Sequence, residues 1–167
     1  LFAAPVLIDY FKSLNIKNPT VVAPDIGSVR MARGFAKRLG MPIALIDKRR
    51  PTRNVSVVLN VIGEVKNRNV IIIDDLIDTG GTIVNAANAL RKEGAGDIYV
   101  GCTHGVFSKD ALARINDSPV KELVVTNTIP LDGKGPTDKV RVLSVARLLG
   151  EAIRRIHEGE SVSSLFI

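Results

Sequence analysis

Two carboxylates, Asp74 and Asp75, stand side by side, and three residues further on come Asp78, Thr79, Gly80, Gly81 and Thr82. The whole stretch, Val70 to Thr82, reads "VIIIDDLIDTGGT". Its β-branched first half predicts a core strand, and Ile83, Ala87 and Leu90 at helical spacing predict a helix after the glycines. Where a strand hands over to a helix, the first backbone N–H groups have no partner inside the helix. Glycines let an anion approach those groups closely, and Thr79 and Thr82 add hydroxyl donors. No G-K-[ST] follows, so a nucleoside triphosphate held as in a Walker A loop is not expected. Asp74 and Asp75 come just before and can accept hydrogen bonds from a vicinal diol. Phosphate donors and diol acceptors about one sugar apart describe a ribose 5-phosphate. The plainer alternative makes Asp78 a helix N-cap and Asp75 an exposed loop acid, and leaves the paired carboxylates at a strand tip unexplained.

Two further stretches carry similar chemistry. "PDIGSVR", from Pro24 to Arg30, follows an apolar run and opens a helix. Asp25, Gly27 and Ser28 there offer a second set of free N–H groups, with Arg30 as a nearby cation; Asp25 as a simple cap is the alternative. "DKRRPTR", from Asp47 to Arg53, gathers Lys48, Arg49, Arg50 and Arg53. Alone, such a cluster reads as solvated basic surface. Beside a phosphate site, it supplies cations that can close over a transferring phosphoryl group. His104 reads as a hydrogen-bonded structural histidine and His157 as a helix-end residue. No zinc-type spacing and no Ser/His/Asp arrangement is present.

The elements that must position these residues alternate along the chain. Strands are expected at Thr20 to Pro24, Met41 to Asp47, Val55 to Ile62, Val70 to Asp74, Asp97 to Thr103 and Glu122 to Asn127. A helix carries Val29, Ala32, Ala36 and Leu39 and closes at Gly40; another runs from the Asp78–Thr82 segment to Gly94. Ser108 is expected to cap a short helix through Leu112 and Ile115. A last helix sets Val145, Leu149, Ala152 and Ile156 along one stripe, followed by the tail "ESVSSLFI". Near-continuous apolar strands separated by helices imply an α/β fold, a mostly parallel sheet flanked by helices on both faces. Ligands of such sheets bind beyond the carboxyl ends of the strands, where Pro24 to Arg30, Asp47 to Arg53 and Asp74 to Thr82 all fall.

A chain of 167 residues suits a single domain, residues 1–167. Its 23 Lys and Arg against 17 Asp and Glu suit anionic partners. With aromatics at 4% and no tryptophan, stacking platforms for single-stranded nucleic acid are scarce, so phosphates are favoured and no nucleic acid is expected. No apolar run is long enough for a membrane span, and the opening "LFAAPVLIDYFK" has no basic leader. The lone Cys102 excludes an internal disulfide and fits a cytoplasmic setting, as a small buried strand residue. The missing initiator methionine suggests a processed chain or a piece of a longer one.

These residues also carry a resemblance. "VIIIDDLIDTGGT" resembles the 5-phosphoribosyl 1-diphosphate signature of the type I phosphoribosyltransferase fold, a Rossmann-like architecture. Within that superfamily, "APDIG" at Ala23 to Gly27, "DKRRP" at Asp47 to Pro51, "THGVFS" at Thr103 to Ser108, "ELVVTNTIP" at Glu122 to Pro130 and "EAIRRIHEGESVSSLF" at Glu151 to Phe166 resemble the C-terminal half of ribose-phosphate pyrophosphokinases. The resemblance implies diphosphoryl transfer from Mg-ATP to the 1-hydroxyl of ribose 5-phosphate, giving 5-phosphoribosyl 1-diphosphate and AMP. It implies ribose 5-phosphate binding by Asp74, Asp75, Asp78, Thr79, Gly80, Gly81 and Thr82. Diphosphate would be held by Asp25, Gly27, Ser28 and Arg30, with Mg2+ near Asp25. Ser28 stands where the family usually has a second glycine. Lys48 and Arg50 match the cations of a flexible catalytic loop. Ser161, Ser163 and Phe166 match a regulatory nucleotide site between subunits, which implies a homo-oligomer responding to inorganic phosphate or ADP. The family's homologous N-terminal half, with an "FDxPxDxL"-type motif for ATP, has no counterpart here, so the isolated chain is expected to bind ribose 5-phosphate but turn over poorly. A purine or pyrimidine phosphoribosyltransferase, or a non-catalytic synthetase-associated or regulatory protein on the same fold, is the alternative; "KRRP" and the tail argue against the first, and the presence of Lys48 and Arg50 against the second.

Overall fold

The computed structural model describes residues 1–49, 58–136 and 138–166. Arg50, Pro51 and Arg53, together with the first part of the strand expected at Val55 to Ile62, lie outside the described residues. Among the described residues, seven strands alternate with helices: α1 (Ala4–Ser13), β1 (Pro19–Ala23), α2 (Val29–Leu39), β2 (Ile43–Arg49), β3 (Val58–Ile62), β4 (Asn69–Ile77), α3 (Gly81–Lys92), β5 (Ile98–Gly105), α4 (Ala111–Asn116), β6 (Val120–Thr126), β7 (Val140–Leu143) and α5 (Ala146–His157). A 3-10 turn, Ser163–Phe166, follows α5. The strands form one sheet in the order β3-β2-β1-β4-β5-β6-β7. All neighbours are parallel except β2 and β3, which run antiparallel with Lys48 opposite Leu59.

Helices cover both faces, which is why the central strands are apolar throughout. Val70, Ile71, Ile72 and Ile73 are all fully buried. Val70 and Ile72 point into a core closed by Ile83 and Leu90 of α3 and Leu112 and Ile115 of α4. Ile71 and Ile73 point the other way, against Phe11 of α1 and Phe35 of α2. α2 ends as its sequence predicts, at Gly40 in the left-handed conformation (φ 67°).

The structure departs from the sequence expectations in ways that matter for the site. β2 and β4 run past their expected ends, to Arg49 and Ile77. Their neighbours continue the ladder: Leu76 pairs with His104 and Ile77 with Gly105, while Lys48 and Arg49 pair with β3. The expected loop from Asp74 to Thr82 thus contracts to Asp78–Gly80. Ser108 does not cap α4; that helix begins at Ala111, and the Ser108 N–H donates instead to the Asp78 carbonyl at 3.1 Å. Two elements go beyond those expected from the sequence: β7, and α1, whose Ala4, Leu7, Ile8 and Phe11 nonetheless stand at helical spacing. α1 is held by Phe11, whose ring sits where Gly101 lacks a side chain: a Cβ there would lie 2.7 Å from Phe11 Cε2. Along the expected stripe of α5 only Ala152 and the flanking Val145 are buried, while Leu149 and Ile156 are 48% and 69% exposed. Periodicity marks an apolar face, not whether anything covers it.

Candidate functional site

β1 and β4 are adjacent, yet the chain leaves β1 toward β2 on one side and returns to β4 on the other. That reversal opens a crevice beyond their carboxyl ends. The structure brings Asp25, Gly27, Ser28, Arg30, Asp74 and Asp75 to one open cavity of about 930 Å³ there. A smaller cavity of about 170 Å³ is lined by Asp74 and by Asp78, Thr79, Gly80, Gly81 and Thr82. Asp74 belongs to both. Lys48 lies at the carboxyl end of β2, the strand next to β1, and is exposed. It does not line either cavity.

The two loops are built differently. After β1, Asp25 Oδ1 accepts the Ser28 N–H and the Ser28 hydroxyl, each at 3.0 Å. The same hydroxyl lies 3.2 Å from Asp74 Oδ1, so Ser28 stands between two carboxylates, one in the loop after β1 and one on β4. After β4, Gly80 adopts φ 73° and precedes α3, whose N-terminus has no side-chain cap. Asp78 is therefore not the cap of α3. The N–H groups of its first turn have no helical acceptor, and the first helix-type bond there runs from the Val84 N–H to the Gly80 carbonyl.

Asp74 is the electrostatically perturbed carboxylate of the crevice. Burial pushes its carboxyl up from 3.8 to about 6, and the charges of Asp25 and Asp75 push the same way. The Asp75 N–H and the Ser28 hydroxyl partly offset this by bonding the ionised form. Nearby, burial pushes the Cys102 thiol up to about 12, so this residue is a packed strand residue rather than a nucleophile. His104 lines the larger cavity and shares a 2.9 Å hydrogen bond with Thr128 Oγ1, in keeping with a structural histidine.

Among the described residues no three His, Cys, Asp or Glu side chains converge as a protein-only metal cage. Asp25 keeps one carboxylate oxygen without a hydrogen bond from the described residues, while Oδ1 is held by Ser28. A single anchored carboxylate fits magnesium, which takes one or two carboxylates and completes its shell with phosphate oxygens and water.

The tail residues are placed apart from the two loops, except at Phe166. Its ring meets Phe2 edge-on at 6.1 Å and borders the larger cavity. The Ser163 N–H donates to Ser161 Oγ at 3.2 Å, and Arg155 reaches the Ser161 carbonyl. One residue that sequence reasoning missed stands behind the smaller cavity: Arg114 Nη1 donates to the Thr79 carbonyl at 3.2 Å. The two residues are 35 positions apart, and no local pattern links them.

The architecture is that of the phosphoribosyltransferases: the adenine phosphoribosyltransferase of Trypanosoma brucei aligns over 89% of this chain and 74% of its own, with a TM-score of 0.57 at 19% identity. At that identity the likeness speaks for the fold alone. The chain belongs to the phosphoribosyl synthetase-associated domain family, whose model matches residues 50–167. The phosphoribosylpyrophosphate synthetase of Mycobacterium smegmatis superposes with a TM-score of 0.86 at 39% identity, over 94% of this chain and 51% of that one. The ribose-phosphate pyrophosphokinase of Caldanaerobacter subterraneus subsp. tengcongensis is 53% identical over 167 residues, 99% of this chain and 53% of the relative. The resemblance carried by the motifs is thus borne out, and the chain spans about half the length of the curated relatives it matches. Among the described residues no helix is long and apolar enough to cross a membrane.

Proposed function

We propose that this chain forms the ribose 5-phosphate half of a ribose-phosphate pyrophosphokinase. The whole enzyme would transfer the diphosphoryl group of Mg-ATP to the 1-hydroxyl of ribose 5-phosphate, yielding 5-phosphoribosyl 1-diphosphate and AMP. The observation that carries this reading is the junction at Asp74: one carboxylate borders both the uncapped Asp78–Thr82 turn and the Asp25–Arg30 loop. The turn takes the 5-phosphate on backbone N–H groups and the Thr79 and Thr82 hydroxyls. Asp74 and Asp75 hold the ribose hydroxyls, which aims the 1-hydroxyl at the diphosphate loop. Asp25, Gly27, Ser28 and Arg30 receive the diphosphoryl group. Lys48 and Arg50 stabilise the charge that builds as that group loosens. Asp25 would hold magnesium, which would supply charge neutralisation to the phosphates. No strong general base stands in this set, which suits a transfer governed by positioning and charge.

Ser161, Ser163 and Phe166 belong, on this reading, to a regulatory nucleotide site of a homo-oligomer that responds to inorganic phosphate or ADP, and the protein works in the cytoplasm. The relatives' shared name supports the synthetase over a phosphoribosyltransferase that would consume the same product.

Calorimetric titration of ribose 5-phosphate tests the reading, with Asp78→Asn as control. Saturable binding that the substitution weakens supports it. Binding untouched by Asp78→Asn, or release of pyrophosphate from phosphoribosyl diphosphate with a purine or pyrimidine acceptor, overturns it. The isolated chain is expected to produce little AMP from ATP, and rapid AMP production would overturn that expectation.

A further inference from the structure

The Asp78–Gly80 turn is held from behind by a single neighbouring segment. The Ile77 carbonyl accepts the N–H groups of Val106 and Phe107 at 3.0 and 3.1 Å. The Asp78 carbonyl accepts the Ser108 N–H at 3.1 Å. The Thr79 carbonyl accepts Arg114 Nη1 at 3.2 Å. Three consecutive carbonyls are thus drawn toward the chain between β5 and α4 and toward α4 itself.

In a planar trans peptide the C=O and the following N–H point in opposite directions. Pinning the carbonyls of Ile77, Asp78 and Thr79 therefore turns the N–H groups of Asp78, Thr79 and Gly80 to the other side. That side is the cavity of about 170 Å³, whose lining includes all three residues. The first two anchors are backbone groups and would persist in almost any sequence. The third is the side chain of Arg114.

α4 is close enough to do this with little slack. A Cβ on Gly80 would lie 3.3 Å from Ile115 Cδ1 and 3.4 Å from the Ala111 carbonyl. One on Gly81 would lie 3.7 Å from Arg114 Nη2. Ile115 and Leu112 are buried in the core, so the helix is a fixed platform, while the guanidinium stays exposed and pairs with no carboxylate among the described residues. Its charge lies directly behind the amides that would face an anion.

We propose that Arg114 is a positioning residue for the phosphate cradle, holding the Thr79–Gly80 peptide so that the Gly80 amide faces the bound anion. This rests on the reading that the Asp78–Thr82 turn takes the phosphate of ribose 5-phosphate. Arg114 touches the back of the peptide, not the ligand.

The test follows backbone amides by nitrogen-15 NMR as ribose 5-phosphate is titrated into the chain, comparing the native sequence with Arg114→Met and Arg114→Lys. In the native sequence the Gly80, Gly81 and Thr82 amides shift together at saturation. Arg114→Met is expected to bind about tenfold more weakly, the size of one charge-assisted hydrogen bond, and to lose the Gly80 shift while Gly81 and Thr82 keep theirs. Arg114→Lys, which can still donate to the carbonyl, restores the Gly80 shift and much of the affinity. A structural defect would move all three amides and the unfolding midpoint together, and that pattern overturns the proposal. So does an Arg114→Met variant with native affinity and a native Gly80 shift. If the native sequence shows no cradle shift at all, the ribose 5-phosphate reading fails and takes this one with it.

Discussion

The loop after β1 and the turn after β4 both hand a parallel strand to a helix at the same end of the sheet, yet only the first binds one of its own N–H groups to a carboxylate. After β1 the N–H and hydroxyl of Ser28 are already engaged with Asp25. A carboxylate of the protein stands beside the place an external anion would take. Neither α2 nor α3 has a side-chain cap, but after β4 the partners of the turn are on its carbonyl side. One cradle is preformed and open, and the other must exchange an internal anion for its ligand. On the proposed reading, the sugar phosphate enters a rigid site, while the diphosphoryl group enters one whose loop rearranges as it binds.

The comparison breaks most easily at Gly80. With φ 73° and α4 packed behind it, Gly80→Ala strains the backbone and presses on Ile115. We expect a stability loss of about 1–2 kcal/mol in urea denaturation and ribose 5-phosphate binding weakened by roughly a hundredfold. Near-native binding by this variant would mean the second cradle is not preformed.

Asp74, which borders both cavities, sharpens the comparison through pH. Its carboxyl titrates near 6 in the folded chain against 3.8 unfolded, so the native state keeps its proton longer. The contribution is full at low pH and is lost as pH rises through that interval. Relative to Asp74→Asn, the native sequence should lose stability between about pH 4 and pH 7, read as a falling urea midpoint. Parallel midpoints for the two proteins would show that burial does not burden this carboxylate.

Smaller effects are expected in the closed loop. Ser28→Ala removes one of the two donors holding Asp25, and magnesium pyrophosphate should then bind about threefold more tightly by calorimetry. Weaker binding would identify the hydroxyl as a ligand of the diphosphate rather than a latch. Smallest of all is Gly27→Ala. Gly27 is not at positive φ, and a Cβ there meets only Asp25 Oδ1 at 3.3 Å. A stability change under about 0.5 kcal/mol is expected, set against the larger loss at Gly80.

What was legible in the sequence was local. The β-branched run before Asp74, the two glycines and the apolar spacing of α3 all lie within about twenty residues, and they specify a strand, a turn and a helix without reference to the rest of the chain. Gly40 ended α2 for the same reason. What was not legible depends on partners far away in sequence. β4 reaches Ile77 because β5 continues beside it, and Lys48 lies on a strand because β3 pairs with β2. α1 is held by a ring resting on Gly101, ninety positions away, and Arg114 reaches Thr79 across the β5–α4 connection. The exposed apolar residues of α5 show the same limit from the other side.

The antiparallel pairing of β2 with β3 has a consequence for Lys48. Five register pairs, from Leu45 with Ile62 to Arg49 with Val58, hold the end of β2. The backbone of Lys48 is thereby carried by the ladder, opposite Leu59. A disturbance of β3, an edge strand of the sheet, is therefore transmitted to the root of this cation, so the edge of the sheet and the site stand or fall together at Lys48.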